Sequence, residues 1–481
     1  MCFSYLIFIF LLRLNCNLTI SPKTYTYKKL TIIGCHTMRN FKKFQFKIIW
    51  SSMKVKTKKY RVIIILLLLI FSSCSKDQVT SAVNSNEDIS SNDKINLSHF
   101  NHLYEEIVFK GKDVGIVHIY SLFPDYEYAT EPAEGFTAVD DVARSIMMLS
   151  EYLTLNTNDE AVLKKLKMLT EFVLQMQAAN GYFNNFIWPD LSVNSSGSTS
   201  IAQLNWWSFR ALLGLESAYP FVQSDAVLAN RIVEATGALL VNIKRDIPIN
   251  NLSTEIINGI ELPTWLPQKY AADQSALLIL GLLKTYERTG DNELKLIIDA
   301  LAEGLMVMQK GDADNYPYGA FLSWDNLWHA WGNNQAYSLL KAGQRFNNQE
   351  YIDSALREID NFYPYLLKNG FAESLSIKSI GTNSYEEINQ NKYPQIAYGL
   401  RPMILAASEA YHYTKDDKYF VLSKDLEAWL WGNNDANTAI YYSATGISFD
   451  GIDGTSQINK NSGAESTIES LLILLAIEKL N

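Results

Sequence analysis

The chain has 481 residues, 48% of them hydrophobic, which is an ordinary globular composition and enough for one large domain or two average ones. Residues 1–74 contain 13 Lys and Arg and no acidic residue. The remainder therefore has 29 basic against 51 acidic residues, a formal charge of −22. Because phosphate contacts dominate nucleic-acid affinity, we expect no nucleic-acid partner for so acidic a body. The same charge disfavours anionic polysaccharides unless a local basic pocket overrides it.

Residues 53–74 have the organisation of a secretory signal. Five basic side chains between Lys54 and Arg61 precede the ten apolar residues 62–71, a run too short to span a bilayer but typical of a signal peptide. Ser72-Ser73-Cys74 then resembles a bacterial lipobox, which predicts lipidation of Cys74. A weak membrane anchor with an incidental cysteine is the other interpretation. We expect a protein of the bacterial cell envelope, lipid-anchored at the outer membrane or the periplasmic face.

The segments on either side of this signal differ in character. Residues 1–52 are unexpected upstream of a signal, which makes Met53 the expected start. Residues 75–96 are rich in Ser, Asn and Asp and are predicted to form a flexible tether. The body, 97–481, has no cysteine, so it can form neither a disulfide nor a thiolate metal site.

The body is predicted to be almost entirely helical, with few strand signals. Apolar periodicity and turn residues indicate about twelve helices. They lie near 98–110, 138–155, 159–177, 203–218, 224–245, 271–289, 292–309, 332–346, 348–368, 394–414, 417–432 and 463–480.

Six of these helices follow long, aromatic loops at a regular interval of about 60–70 residues, which indicates repeated helical hairpins. They begin near Asp140, Asn205, Asp273, Asn333, Gln395 and Glu465. The helix near 98–110 would pack outside the last one and close the ring. The predicted fold is an all-α (α/α)6 toroid spanning 97–481. An open solenoid is the alternative, but it would need polar capping repeats, and residues 471–476 of the last helix are entirely apolar.

In a closed ring the inner helices would begin on one side and place their first residues around one cavity. Any one of these residues could be a helix cap or a packing residue. Their recurrence at the same position of each repeat is what indicates a binding site. The set comprises Asp140, Asp141, Asn205, Trp206, Trp207, Asp273, Gln274, Trp328, His329, Asn333, Asn334, Tyr393, Gln395, Tyr398 and Glu465.

Two strings carry the carboxyl groups with which chemistry could be done. In the first, residues 135–144, Asp140 and Asp141 point about 100° apart on a helix, and Arg144 can pair with either. In the second, residues 459–468, Glu465 lies at the first turn of the last helix. Closure would bring the strings together, and glycoside hydrolysis needs two carboxyl groups beside one glycosidic oxygen. A charged first turn favoured by the helix dipole is the plainer interpretation.

Other candidates are weaker. Asp273 could contact substrate or assist catalysis, and residues 324–331, with three Trp and His329, could form a sugar platform. Asp450 and Asp453 lie in a Gly-rich turn that could hold Ca²⁺, although a plain turn is the simpler interpretation. The chain has no HExxH, phosphate-binding glycine loop or GxSxG element, so we expect neither a cofactor nor a metal.

On this architecture, and on VDDVAR at 139–144 and NSGAES at 461–466, the chain resembles the six-hairpin glycosidase superfamily over roughly residues 98–481. Similarity to its inverting, cellulase-like members implies Asp140 or Asp141 as base and Glu465 as acid. Similarity to its endo-α-mannanases implies Asp140 and Asp141 as nucleophile and acid/base.

The expected function is therefore a glycoside hydrolase that acts on a poly- or oligosaccharide. The expected substrate-binding residues are Arg144, Asn205, Trp206, Trp207, Asp273, Gln274, Trp328, His329, Asn334 and Tyr398. One alternative is a toroid polysaccharide lyase with Tyr270, Tyr393 or Tyr398 as base. The other is a non-catalytic glycan-binding lipoprotein that uses Trp206, Trp207, Trp328 and Trp331.

Overall fold

The computed structural model describes residues 94–481. The predicted signal, its lipidation site Cys74 and the segment 1–52 lie outside the described residues, as does most of the predicted tether. Its last residues do not behave as a tether, because the Tyr441 hydroxyl donates to the carbonyl of Lys94 at 2.9 Å and Asn96 Nδ2 donates to the carbonyl of Ser443 at 2.8 Å. Residues 94–96 are therefore bound to the body of the protein.

The described residues contain twelve α-helices. They are α1 (Ser98–Leu103), α2 (Val139–Leu155), α3 (Glu160–Gln175), α4 (Trp206–Val222), α5 (Ala226–Asp246), α6 (Ala272–Thr289), α7 (Asn292–Met308), α8 (Gln335–Phe346), α9 (Gln349–Asn369), α10 (Ala397–Thr414), α11 (Asp417–Glu427) and α12 (Ala464–Glu478).

Helices α2, α4, α6, α8, α10 and α12 form an inner ring. Each packs against the next, and α12 packs against α2, which closes the ring. Helices α3, α5, α7, α9 and α11 lie outside, each against the inner helix that precedes it in the chain. The predicted (α/α)6 toroid is thereby confirmed, together with the starts of the inner helices to within a few residues.

The inner helices are largely buried, and the buried side chains include charged ones such as Arg144 and Arg401. In α12 even Glu469 is fully buried. Helices α2 and α4 approach closely where Gly214 faces Ala143, since a Cβ at position 214 would lie 2.9 Å from that of Ala143. This contact holds the first turns of α2 and α4 side by side.

The predicted helix near 98–110 is wrong beyond Leu103. Residues Tyr104–Phe109 form strand β1, which pairs antiparallel with β2 (Lys112–Val117) across a tight turn. Lys110 and Gly111 both have positive φ, 49° and 77°, as a two-residue hairpin turn requires. The sixth outer position is therefore shared by the short α1, which packs on α12, and this hairpin, which packs on α3.

The long loops also contain more strand than the sequence indicated. Short antiparallel pairs join β3 (Tyr120–Leu122) to β4 (Glu127–Ala129), β5 (Thr137–Ala138) to β6 (Phe186–Ile187), β7 (Thr254–Ile257) to β8 (Ile260–Pro263), β9 (Gln309–Lys310) to β10 (Ala320–Phe321), β14 (Tyr441–Tyr442) to β15 (Ile447–Ser448) and β16 (Gly451–Gly454) to β17 (Gln457–Asn459). A three-stranded sheet has the order β11 (Leu327–His329), β12 (Ser374–Gly381), β13 (Ser384–Asn391). These pairs fix the loops around one end of the ring.

Candidate active site

A cavity of about 700 Å³ opens where the inner helices begin. The first turns of α2, α4, α10 and α12 contribute to its wall, as the repeat pattern predicts. Its aromatic lining consists of Tyr120, Phe186, Trp206, Trp207, Trp331 and Tyr398. Its ionisable lining other than tyrosine consists of six carboxyl groups, those of Glu134, Asp140, Asp141, Asp450, Asp453 and Glu465.

Arg144 joins the two strings that were predicted to meet. Its side chain is 4% exposed, and Nη2 lies 2.7 Å from Oδ2 of Asp140 while Nη1 lies 2.5 Å from Oε2 of Glu465. Nη1 is also 3.7 Å from Oδ1 of Asp141. Asp140, Asp141 and Glu465 therefore lie around one guanidinium group, and all three line the cavity.

Asp140 is held as an anion. Besides Arg144, it accepts a hydrogen bond from Nε of Arg210 at 3.0 Å. Burial opposes its ionisation, but the two guanidinium groups outweigh burial and hold the pKa of this carboxyl below its usual range. A carboxylate so firmly paired is suited to fixing the site and is a poor proton donor.

Asp141 has the opposite environment. Its side chain is about 10% exposed, and its carboxyl group accepts no hydrogen bond from any residue in the described part of the chain. Burial raises the pKa of Asp141 to about 7; Arg144 opposes the shift, and the charges of Asp140 and Glu465 add to it. Adjacent aspartates on one helix are thus separated into an anion and a group that holds its proton near neutral pH.

The floor of the cavity is a layer of buried charges around Tyr398. The guanidinium carbons of Arg144, Arg210 and Arg401 lie 4.3, 5.6 and 5.5 Å from the centre of its ring. Arg210 Nη2 donates to the tyrosine oxygen at 2.7 Å.

Glu469 completes this layer. Arg401 donates to it through Nε, and Arg401 Nη1 donates to Oδ1 of Asn334 at 3.3 Å. Three arginines in the layer therefore face three anions, Asp140, Glu465 and Glu469. Because Arg144 is shared with Asp140 and Glu465, it offsets only part of the burial that raises the pKa of Asp141.

Six predicted substrate-binding residues do not line this cavity. They are Asn205, Asp273, Gln274, Trp328, His329 and Asn334, and all are at least nine-tenths buried. Each lies just behind the wall, because the first residues of an inner helix divide between the cavity and the packing around it. The other residues expected there, Asn333, Tyr393 and Gln395, likewise lie outside its lining.

Two of these corrections have simple structural reasons. Asn205 caps α4, its Oδ1 accepting from the backbone N–H of Ser208 at 3.5 Å. Trp328 is 1% exposed and packs edge-on against Phe362, with ring centres 5.1 Å apart, so it belongs to the core. Of residues 324–331, where a sugar platform was predicted, Trp331 lines the cavity.

Asp450 and Asp453, predicted as a turn or a Ca²⁺ site, lie in the cavity wall. Asp450 Oδ1 accepts from the backbone N–H of Gly463 at 3.0 Å and from the Ser466 hydroxyl at 2.7 Å. Within residues 94–481, no group of three or more His, Cys, Asp or Glu side chains is arranged to hold a metal ion. Asp450 instead fixes the start of α12, which carries Glu465.

Several residues of the site escaped the sequence analysis. Arg210 lies one helical turn after Trp206, and Glu469 lies one turn after Glu465, just before the apolar run 471–477 of α12. A charged residue within a buried helix indicates a buried partner. Arg210 and Glu469 could therefore have been predicted as parts of a buried charge cluster. Tyr120 and Glu134 could not, because they lie in strands and turns of a segment without a repeat period.

No protein-family model matches the chain, and no curated protein sequence matches it. Solved structures do resemble it. A cellobiose 2-epimerase from Bacillus thermoamylovorans has a TM-score of 0.55 at 12% identity, covering 81% of this chain and 97% of the epimerase.

A sugar epimerase from a ruminal bacterium has a TM-score of 0.52 at 11% identity over 81% and 98% of the two chains. A family 76 glycoside hydrolase from a bovine Bacteroides thetaiotaomicron strain has a TM-score of 0.49 at 10% identity over 81% and 78%. At these identities the likeness establishes the shared (α/α)6 toroid fold and leaves the activity to be argued from the site.

Proposed function

We propose that this protein is a glycoside hydrolase in which Asp141 is the proton donor and Glu465 the ionised partner. The observation that carries the proposal is the contrast between these two carboxyl groups of one cavity. Asp141 has a pKa raised to about 7 by burial, whereas Glu465 is held 2.5 Å from a guanidinium nitrogen. Glycosidic cleavage requires one protonated and one ionised carboxyl group at the same bond.

The roles differ from those that the cellulase-like resemblance implied, in which Glu465 is the acid. The Glu465 side chain is 42% exposed and forms an ion pair with Arg144. Asp141 is enclosed and unbonded, so it favours the neutral form. A neutral carboxyl group can protonate the departing glycosidic oxygen, and the carboxylate can attack the anomeric carbon or activate water.

The cavity lining favours a neutral or cationic sugar. Six carboxyl groups line it together with aromatic rings, while the arginines at its base are already paired with Asp140, Glu465 and Glu469. A uronate would meet negative charge without a free cation to bind it. Aromatic faces provide the apolar stacking surface that a sugar ring needs.

The candidate tyrosines also argue against a lyase. Tyr398 accepts a hydrogen bond from Arg210 at the cavity floor, and burial raises its pKa. The hydroxyl of Tyr393 donates to Oδ2 of Asp435 at 2.7 Å, and that of Tyr270 donates to Glu255, which raises the pKa of Tyr270 to about 12. None of the three is poised to remove a proton from a substrate.

A sugar epimerase or isomerase is the second candidate, because two solved structures with this fold carry that activity in their names. Product analysis after digestion of a glycan panel separates the possibilities. A hydrolase creates a new reducing end, an epimerase leaves every glycosidic bond intact, and a lyase creates an unsaturated product that absorbs in the ultraviolet. The anomeric form of the first product distinguishes nucleophilic attack by Glu465 from water activation. A glycan-binding protein would give no product from any glycan.

The pH profile should report the proton on Asp141. Since only the protonated acid is active, kcat/KM is expected to fall about tenfold per pH unit above pH ~7. Initial rates between pH 5 and 9 on the best substrate of the panel measure this limb. The residual activity of Asp141→Asn should show no such fall in kcat/KM above pH ~7. A wild-type profile that stays flat to pH 9 would contradict the assignment of Asp141.

We also propose that the protein is held at the bacterial cell envelope through lipidation of Cys74. The basic segment, the apolar run and the small residues before Cys74 support this. In a bacterial host, Cys74→Ala is expected to remove incorporation of labelled fatty acid and to move the protein from the membrane fraction to the soluble fraction. Ser73→Ala is the matched control and should stay lipidated. Equal membrane retention of both variants would indicate an uncleaved apolar anchor instead.

A further inference from the structure

We propose that His329 and Asp273 are positioning residues that hold Trp331 as the sugar-stacking wall of the cavity. The proposal rests on the proposed function only in that it takes the ligand of the cavity to be a sugar. The arrangement itself is a property of the protein alone.

His329 is fixed through both ring nitrogens. Nε2 lies 2.9 Å from Oδ2 of Asp273, and Nδ1 lies 2.7 Å from the carbonyl oxygen of Trp331. A carboxylate and a carbonyl can only accept hydrogen bonds. The ring must therefore carry a proton on each nitrogen, or share one of the two with Asp273, and a neutral imidazole beside an ionised Asp273 would leave one contact repulsive.

The His329 ring also stacks on the indole of Trp331. The two rings are nearly parallel, at 9°, with centres 3.6 Å apart. A doubly protonated imidazole against an aromatic face adds a cation–π attraction to the van der Waals contact. One histidine thus binds Trp331 twice, by its main-chain carbonyl and by its ring.

Trp331 is in turn a wall of the cavity. It packs beside Trp206, with ring centres 6.1 Å apart and ring planes at 46°, and both line the cavity together with Asp141 and Glu465. The chain makes its turn at Gly332, with φ of +70°, where a Cβ would lie 2.8 Å from the Tyr398 hydroxyl and 3.0 Å from Trp206. The platform is therefore packed from below by this turn and from behind by His329.

Asp273 holds the other side of the histidine. It is 4% exposed, lies in the first turn of α6, and its Oδ1 accepts from the backbone N–H of Gln274 at 2.6 Å. The hydroxyl oxygen of Ser323 accepts a hydrogen bond from the backbone N–H of His329 at 3.1 Å. The platform is thus attached to the rigid start of an inner helix, which explains why Asp273 and His329 occur in phase with the cavity residues without lining the cavity.

The test uses His329→Phe, which keeps an aromatic ring for stacking and removes both hydrogen bonds, and Asp273→Asn, which keeps the size and removes the charge. We expect both to raise KM for the best glycan about tenfold while kcat changes less than about threefold. His412→Asn, on an exposed histidine at the opposite end of α10, is the control and should match wild type. A collapse of kcat at unchanged KM, or unchanged kinetics in both variants, would overturn the positioning role.

Two measurements without a sugar separate this proposal from the proposed hydrolysis. Long-range ¹H–¹⁵N NMR of the histidine rings is expected to show, in wild type, a proton on Nδ1 of His329 and a second proton between Nε2 and Asp273, and to show the second one lost in Asp273→Asn. Tryptophan emission is expected to rise in His329→Phe, because a protonated imidazole in contact quenches indole, and to stay unchanged when His329→Phe is added to Trp331→Phe. A singly protonated His329 with an ionised Asp273, or unchanged emission in the single variant, would overturn the proposal even if the protein cleaves glycans. If no glycan is cleaved, these two results still decide it.

Discussion

Asp141→Asn is expected to lose about 10²–10⁴-fold in turnover, the range that general acid catalysis contributes. The amide has nearly the same shape as the protonated carboxyl group, so the cavity keeps its form and sugar affinity stays within about threefold. Initial rates of reducing-end formation and calorimetric titration with the same glycan measure the two quantities. Glu465→Gln should lose turnover similarly, through loss of the ionised partner.

A folding control accompanies this variant, because Asp141 also affects stability. Its folded-state pKa, about 7, lies above the unfolded value of about 3.9. Its stabilising contribution is therefore complete below pH ~4 and is lost as the pH rises to 7. Asp141→Asn should melt higher than wild type at pH 8 and about equally at pH 4.

Asp113→Asn provides a matched surface control, since Asp113 is an exposed residue of β2 far from the cavity lining. It should retain wild-type turnover. Full turnover in both Asp141→Asn and Glu465→Gln would remove the hydrolytic mechanism. Loss of affinity in step with turnover would instead indicate that these groups bind the sugar without reacting.

The ring of helices and the contact between its first and last inner helices could be predicted from the sequence. The regular spacing of helix starts predicted the toroid. Closure of the ring brings α12 against α2, and this places the VDDVAR and NSGAES strings next to each other. Both inferences depend on period and connectivity, which the sequence displays directly. The hairpin at 104–117 was missed because its apolar residues also fit a helix, and the Lys110-Gly111 turn is a short signal.

Side-chain direction is the part that the sequence could not supply. At each inner helix start, neighbouring residues point either to the cavity or into the packing behind it, and a one-residue difference decides which. Trp206 lines the cavity, whereas Asn205 caps the helix; Trp331 lines it, whereas Trp328 is core. The sequence predicted which segments border the cavity but could not assign which of their side chains face it. A shift of one residue turns a side chain by about 100° on a helix, or to the other face of a strand.

Arg144→Met is expected to have the largest effect on stability, a loss of about 3–5 kcal/mol at pH 7. The guanidinium lies between Asp140 and Glu465, with Nε 3.6 Å from Oε1 of Glu469. Methionine fills most of the volume but leaves these carboxylates facing one another with less positive charge between them. Arg210 and Arg401 retain one partner each, so the damage falls on the seam between α2 and α12.

The pH dependence of this loss identifies its cause. Arg144 contributes to the lowered pKa of Asp140, so without Arg144 that folded-state pKa rises. The variant is therefore expected to recover stability as the pH falls toward 5 and to lose it again as the pH rises. Arg144→Lys keeps the charge but cannot bridge two carboxylates with one planar group. Its free energy of unfolding is expected to lie between those of Arg144→Met and wild type. Urea unfolding at pH 5 and pH 7 measures the difference.

Arg245→Met removes an exposed pairing with Asp246 and serves as the matched control, with no expected change in unfolding. If Arg144→Met loses the same unfolding free energy at pH 5 and pH 7, the loss comes from packing. If its urea midpoint equals that of wild type, α2 and α12 pack together without the arginine charge. Arg144 also opposes the rise that burial causes in the pKa of Asp141, so the alkaline limb of any residual activity in Arg144→Met is expected to move to higher pH. One buried guanidinium thus stabilises the seam between α2 and α12 and limits how far burial raises the pKa of Asp141.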